Sequence, residues 1–191
     1  MALESVSDWL ADLASIPIES YPPVDEEFVD RLLAAGSTSD WATQLADEQL
    51  DRAIWNLAFS IDEMLAFSSV PVEKQLAVLE LLPHMFDRLV IVGADRVTAG
   101  SYFWESAVSS AASKPAPIGP AVIAALDRQA NSGGPEAFWA IMQALECMHG
   151  APGAPELAAR MLQYPDLDDS QRQFAQKVLD ELTVFERRVT Q

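Results

Sequence analysis

Three ionisable residues in the middle of the chain have a spacing suited to proton transfer or metal binding. Glu80, His84 and Asp87 occur at positions i, i+4 and i+7, so an unbroken helix would place them on one face. A carboxylate beside an imidazole can raise the pKa of the imidazole and orient its ring. Pro83 disturbs the helix geometry here, and the only other histidine is His149. We therefore expect a surface ion pair at these positions rather than a catalytic or metal-binding group.

Other sequence features that resemble reactive or metal-binding sites are incomplete. The single cysteine, Cys147, has apolar neighbours, which predicts a buried and unreactive thiol. His149 lies two residues further along a predicted helix and therefore faces another way, so the two do not form a nucleophile and base. The segment 166–170 has the first ligand spacings of an EF-hand loop, but Gln171 stands where that loop requires glycine. We predict a protein that is not an enzyme and that uses no metal or cofactor.

The apolar residues recur at a helical period along most of the chain. They predict a short amphipathic helix around Phe28 that stops at Gly36, a largely buried helix over 48–67 and a further helix over 76–92. Pro83 should kink the last of these or split it in two. No segment shows a sustained strand pattern. The sequence therefore predicts an all-α fold.

The final third of the chain contains clear signals for where helices begin. Pro120, Pro135 and Pro155 each mark a predicted first turn, because proline suits that turn and its missing N–H would be unpaired there. Asp168 and Gln171 have the spacing of a capping box, in which each side chain bonds the backbone N–H of the other residue. Four helix starts are therefore predicted.

These helices also recur in sequence. The segment 120–126 can be laid over 155–161 at an offset of 35 residues, and 138–145 over 175–182 at an offset of 37, periods typical of stacked helical hairpins. The stretch 155–182, with its Pro-Asp turn at 165–166 and the Arg-containing segment that follows, resembles the joint between two units of a HEAT-like repeat. The resemblance covers roughly residues 118–186 and implies antiparallel helical hairpins there.

The longer central helices fit a regular HEAT-like repeat poorly. An irregular helical bundle and a short HEAT-like array of antiparallel helical hairpins are therefore both admissible. With 191 residues, half of them apolar, we expect one all-helical domain over 1–191, comprising an acidic part over 1–70 and the hairpins over 118–186.

The negative charge of the chain is concentrated near its amino end. Residues 1–70 contain fourteen acidic side chains against two basic ones, within a net charge of −17 for the whole sequence. Such a field disfavours contact with nucleic acid and with anionic membranes, and it accelerates encounter with a cationic partner. The start of the chain lacks a basic segment, and its longest nearly apolar stretches are far shorter than the ~20 residues that span a bilayer. We expect a cytoplasmic protein.

The charge distribution predicts a non-catalytic protein-interaction module that binds a basic protein partner. One version is an immunity or inhibitor protein that covers the cationic cleft of a bacterial toxin domain. One alternative is a helical scaffold that binds a peptide or another subunit, including a homodimer through the central helices. The alternative that we rank last is an enzyme that uses Glu80 and Asp87 in a helical cavity. The residues predicted to bind the partner are Asp25, Glu26, Glu27, Asp30, Asp40, Trp41, Asp47, Glu48 and Asp51.

Overall fold

The computed structural model describes residues 5–17, 20, 24–38, 45–66, 69–92, 96–132 and 135–189 of the chain. This part of the chain contains nine α-helices and no strand, which confirms the predicted all-α fold. The helices are α1 (Val6–Ser15), α2 (Glu26–Ser37), α3 (Asp47–Ala66), α4 (Val72–Val92), α5 (Arg96–Ala112), α6 (Ile118–Ser132), α7 (Pro135–Glu146), α8 (Ala154–Met161) and α9 (Asp169–Val189).

The helices begin where the local sequence supplies partners for their first backbone N–H groups. The side chain of Asp25 accepts a hydrogen bond from the N–H of Phe28 at 2.8 Å, the usual role of an N-cap aspartate. At α9 the N–H of Asp168 donates to Gln171 Oε1 at 2.9 Å, and the N–H of Gln171 donates to Asp168 Oδ1 at 2.8 Å. The predicted capping box is confirmed. The three prolines that predicted helix starts also lie in the first turns of α6, α7 and α8.

The helices pack in two layers. One layer runs through α1, α3, α5, α7 and α9, and the other through α2, α4, α6 and α8, because each helix packs on the helix two positions further along the chain. The layers meet through neighbouring pairs from α3 with α4 to α8 with α9. This alternation is compatible with a helical repeat and extends beyond the 118–186 segment that resembles one.

Helix α5 lies at the centre of its layer and is enclosed on several sides. It packs against α3, α4, α6 and α7. Phe103 and Trp104 are fully buried, and the small residues Ala107 and Ala111 face the interior with no exposed surface. Small side chains at these positions allow neighbouring helices to approach closely.

Gly36 does not end α2, as the sequence predicted, because the helix continues to Ser37. The glycine instead permits close packing of α2 on α4. A Cβ atom at position 36 would lie 3.0 Å from Leu81 Cβ and 3.2 Å from Met85 Sδ. A side chain at this position would therefore press on Leu81 and Met85, which would have to shift by a few tenths of an ångström.

Pro83 lies inside α4, which runs without a break from Val72 to Val92, so of the two expected outcomes, a kink or a split, the split does not occur. A proline removes the helical hydrogen bond to the carbonyl four residues earlier, here that of Leu79. The guanidinium of Arg128 on α6 donates to this carbonyl at 3.2 Å. A neighbouring helix thus supplies the donor that α4 lacks.

Candidate functional site: an acidic cleft between the first two helices

Helices α1 and α2 each turn an apolar face towards the interior. Trp9 on α1 is only 2% exposed, and Phe28 on α2 is 7% exposed. Their ring centroids lie 6.4 Å apart with a tilt of 50°, a favourable geometry for aromatic pairs. Trp9 is therefore mainly a core residue.

A cleft of about 250 Å³ lies between these two helices. Sites for small molecules usually measure ~300–1,000 Å³, so this cleft suits a single side chain better than a metabolite. Its apolar walls are formed by Trp9, Leu13, Ile16 and Phe28.

The remaining lining of the cleft is charged. It consists of three carboxylates and one guanidinium, contributed by Asp12, Asp25, Glu27 and Arg31. Arg31 Nη2 lies 3.3 Å from Asp12 Oδ2, and the two side chains are 38% and 66% exposed. An ion pair this exposed contributes little to stability. It neutralises one carboxylate and leaves the cleft with a net negative charge.

The four predicted binding residues at the start of α2 serve different purposes. Asp25 caps the helix, and Asp30 Oδ1 pairs with Lys74 Nζ of α4 at 2.7 Å. That hydrogen bond raises the pKa of Lys74. Glu26 and Glu27 are exposed in the first turn, where carboxylates also stabilise the positive end of the helix dipole.

The second predicted acidic group begins at α3. Asp47 starts this helix, and Glu48 and Asp51 are exposed within its first turns. Because α2 packs on α4 whereas α3 packs on α1, α4 and α5, the two acidic groups start from different layers. Asp40 and Trp41, which are also predicted to bind the partner, lie outside the described residues.

The residues at 80, 84 and 87 on α4 have separate partners. Glu80 lies 3.5 Å from Arg128 Nη2, His84 Nε2 lies 3.0 Å from the carbonyl oxygen of Thr38, and Asp87 accepts from Gln129 Nε2 at 2.8 Å. The ion pair of Glu80 with Arg128 therefore joins α4 to α6. Within the described residues no group of three or more His, Cys, Asp or Glu side chains is placed to hold a metal ion.

Cys147 is exposed, so the prediction of a buried thiol is wrong. It lies just beyond the end of α7, where the sequence pattern alone does not fix which side chains face the core. Its Sγ donates to Glu105 Oε1 at 3.6 Å. Partial desolvation and the negative charge of Glu105 raise the pKa of this thiol to about 11. A thiol that resists ionisation is a poor nucleophile at neutral pH.

Of the eight residues that line the cleft, only Asp25 and Glu27 were predicted as site residues. Asp12 and Leu13 lie on α1 and Ile16 is its C-cap residue, so their link to α2 is tertiary. Asp12 follows Trp9 by three residues, so a helical wheel would have placed it beside that ring.

Comparison with protein-family models, curated proteins and solved structures gave no match. None of the helices in the described part of the chain is long and apolar enough to cross a bilayer.

Proposed function

We propose that this protein is a non-catalytic interaction module that binds a basic segment of a protein partner. One basic side chain of the partner enters the cleft between α1 and α2. The observation that carries the proposal is the combination, in one cleft, of aromatic walls with the three carboxylates of Asp12, Asp25 and Glu27.

The chemistry of the cleft favours a cation on an apolar stem. Aromatic rings attract cations through their negative faces, and carboxylates form strong, charge-assisted hydrogen bonds with them. A guanidinium is planar and weakly hydrated, so it tolerates apolar surroundings better than an ammonium. We therefore propose an arginine of the partner as the preferred occupant.

Two exposed carboxylates, which also favour the dipole of α2, extend the negative surface at the cleft. Glu26 and Glu27 are exposed on the first turn of α2. In contrast, Asp25 caps the helix, and Asp30 pairs with Lys74. The exposed pair would attract further basic residues of the partner, and long-range attraction of this kind raises the association rate.

The inhibitor form of the proposal, in which the partner is the cationic cleft of a bacterial toxin, follows from the same charge. An acidic surface can mimic the phosphates that such a toxin cleft attracts. The identity of a captured partner decides between this form and a scaffold that binds a basic peptide.

The experiment is an affinity capture from a lysate of the organism that encodes the chain. The double variant Glu26→Lys, Glu27→Lys reverses the charge of one carboxylate in the cleft lining and of its neighbour. It keeps the cap residue Asp25 and the contact between Asp30 and Lys74, on which Glu26 acts only through its charge. A matched control, Glu156→Lys with Asp169→Lys, makes the same charge change on α8 and α9. We expect the wild type and the control to retain a basic protein that the first variant loses. Equal capture by all three would refute the proposal.

A further inference from the structure

One ion pair crosses the acidic cleft and joins its two walls. Arg31 Nη2 on α2 lies 3.3 Å from Asp12 Oδ2 on α1. Both side chains belong to the lining of the cleft. A guanidinium, the group that we propose the partner inserts, is therefore already present in the cleft of the free chain. It already engages one of the three carboxylates there.

This ion pair is weak enough to be replaced. Both side chains remain accessible to solvent, and an exposed pair changes an equilibrium constant by no more than about fivefold. The contact at 3.3 Å is also longer than the ~2.7–2.9 Å of strong charge-assisted hydrogen bonds. A second guanidinium with better geometry can therefore take over the carboxylate of Asp12.

Other contacts hold the two walls of the cleft in place. The buried Asn56 on α3 donates from Nδ2 to the carbonyl oxygens of Leu13 and Ile16, at 2.8 and 3.2 Å. These two residues lie at the end of α1, and both line the cleft. On the opposite side, α2 packs on α4. The cleft therefore keeps its shape without the pair between Arg31 and Asp12, and only the Arg31 side chain has to move.

We propose that Arg31 is an internal competitor for the cleft. In the free chain its guanidinium pairs with Asp12, and an arginine of the partner displaces it from that carboxylate on binding. This inference rests on the proposed function, because it concerns the same site. A cation that binds Asp12 no better than Arg31 does gains nothing there. Arg31 therefore restricts the cleft to partners that make further contacts.

Removal of the competitor should strengthen binding. We expect Arg31→Gln to bind a short peptide of alternating arginine and glycine about two- to fivefold more tightly than the wild type, the range set by an exposed pair. An NMR titration measures both affinities. Arg172→Gln removes the same charge at an exposed position of α9, which packs on α7 and α8. This matched control should change the affinity by less than about 1.5-fold, because salt screens distant charges.

A double-mutant cycle separates displacement from simple repulsion between Arg31 and a cationic peptide. In the wild type the peptide's contact with Asp12 is offset by the lost internal pair, so Asp12→Asn should weaken binding by less than about twofold. In the Arg31→Gln background that offset is absent, and the same change should weaken binding about two- to fivefold more than it does in the wild type. Repulsion alone acts equally with and without Asp12 and would give additive effects.

The outcomes separate this inference from the proposed function. The wild type may bind the peptide while Arg31→Gln binds no more tightly than the Arg172→Gln control, or while Asp12→Asn costs the same in both backgrounds. Either result would overturn the competition and leave the proposed function standing. If neither the wild type nor Arg31→Gln bound the peptide, both proposals would fall. Circular dichroism checks that each variant is as helical as the wild type.

Discussion

Arg128 on α6 donates a hydrogen bond to the carbonyl oxygen of Leu79 at 3.2 Å, at the point where Pro83 leaves α4 without an internal donor. The same guanidinium lies 3.5 Å from Glu80. One turn further, Gln129 donates to Asp87 at 2.8 Å. Two of the three polar residues that suggested chemistry in the sequence, Glu80 and Asp87, therefore join α4 to α6.

The bond from Arg128 to Leu79 should be energetically coupled to Pro83. We expect Arg128→Met to lower the free energy of unfolding by about 1–2 kcal/mol, because it removes a charged donor from a carbonyl that has no helical donor. Pro83→Ala restores the N–H of position 83, so in that background the same change should cost about 1 kcal/mol less. Urea unfolding of the wild type, the two single variants and the double variant gives the four free energies of unfolding from which the coupling is calculated.

Arg172→Met, an exposed change on α9, is the matched control and should alter stability by less than about 0.5 kcal/mol. Strictly additive effects of the Arg128 and Pro83 changes would contradict the assigned role of Arg128.

The close approach of α2 and α4 should make position 36 intolerant of side chains. We expect Gly36→Val to destabilise the protein by about 1–3 kcal/mol, because its atoms would meet Leu81 and Met85. Ala34→Val, at an exposed position of the same helix, is the control and should cost less than about 1 kcal/mol. If chemical denaturation showed that Gly36→Val and Ala34→Val lower the free energy of unfolding equally, the packing at Gly36 would not be tight.

Asp62 should limit stability at neutral pH. It lies half-buried where α3 meets α5, and burial raises the pKa of its carboxyl even though hydrogen bonds from Ser110 oppose the shift. The raised pKa in the folded state means that the ionised carboxylate destabilises the fold and that protonation relieves this cost as pH falls. Asp62→Asn should therefore raise the melting temperature at pH 7 by roughly 2–4 °C.

The gain from Asp62→Asn should shrink as the pH is lowered, because the wild-type carboxyl, with its raised pKa, takes up a proton at a higher pH than an ordinary aspartate does. Asp180→Asn, at an exposed position on α9, controls for the loss of one negative charge. A gain that stayed constant with pH, or that the control reproduced, would argue against the burial of Asp62 as its cause.

Cys147 should react slowly with thiol reagents despite its exposure. Its pKa is raised from 9.0 to about 11, so at pH 8 the thiolate fraction is roughly a hundredfold below that of an ordinary cysteine. Alkylation followed by mass spectrometry should show this slow reaction in the folded protein and normal reaction in denaturant. Glu105→Gln should accelerate the folded-state reaction, and a rate that matches the denatured chain would contradict the raised pKa.

The sequence predicted those helices that have a clear helical period of apolar residues or a clear capping signal. The periodic segments became α3, α4 and α9, and the capping box at Asp168 and Gln171 formed as expected. Helix α5 had no such signal, because its Gly, Ser and β-branched residues are weak helix formers and tertiary contacts decide its conformation.

The misassigned residues share a dependence on distant neighbours. Gly36 was interpreted as a helix stop because glycine is common there, whereas its actual role depends on Leu81 and Met85 of α4. The cleft likewise combines Asp12 of α1 with Arg31 of α2. Local patterns identify acidic residues, but only packing shows which of them surround an apolar cleft.

The most direct test of the acidic cleft is a titration of the protein with a short peptide of alternating arginine and glycine, observed by NMR at the indole N–H of Trp9. A peptide with glutamine in place of arginine is the control for charge, and Glu26→Lys with Glu27→Lys is the control for location. We expect a saturable shift of the Trp9 signal that weakens with salt and disappears in both controls. An unmoved Trp9 signal, or an equal shift in the double variant, would contradict binding at this cleft.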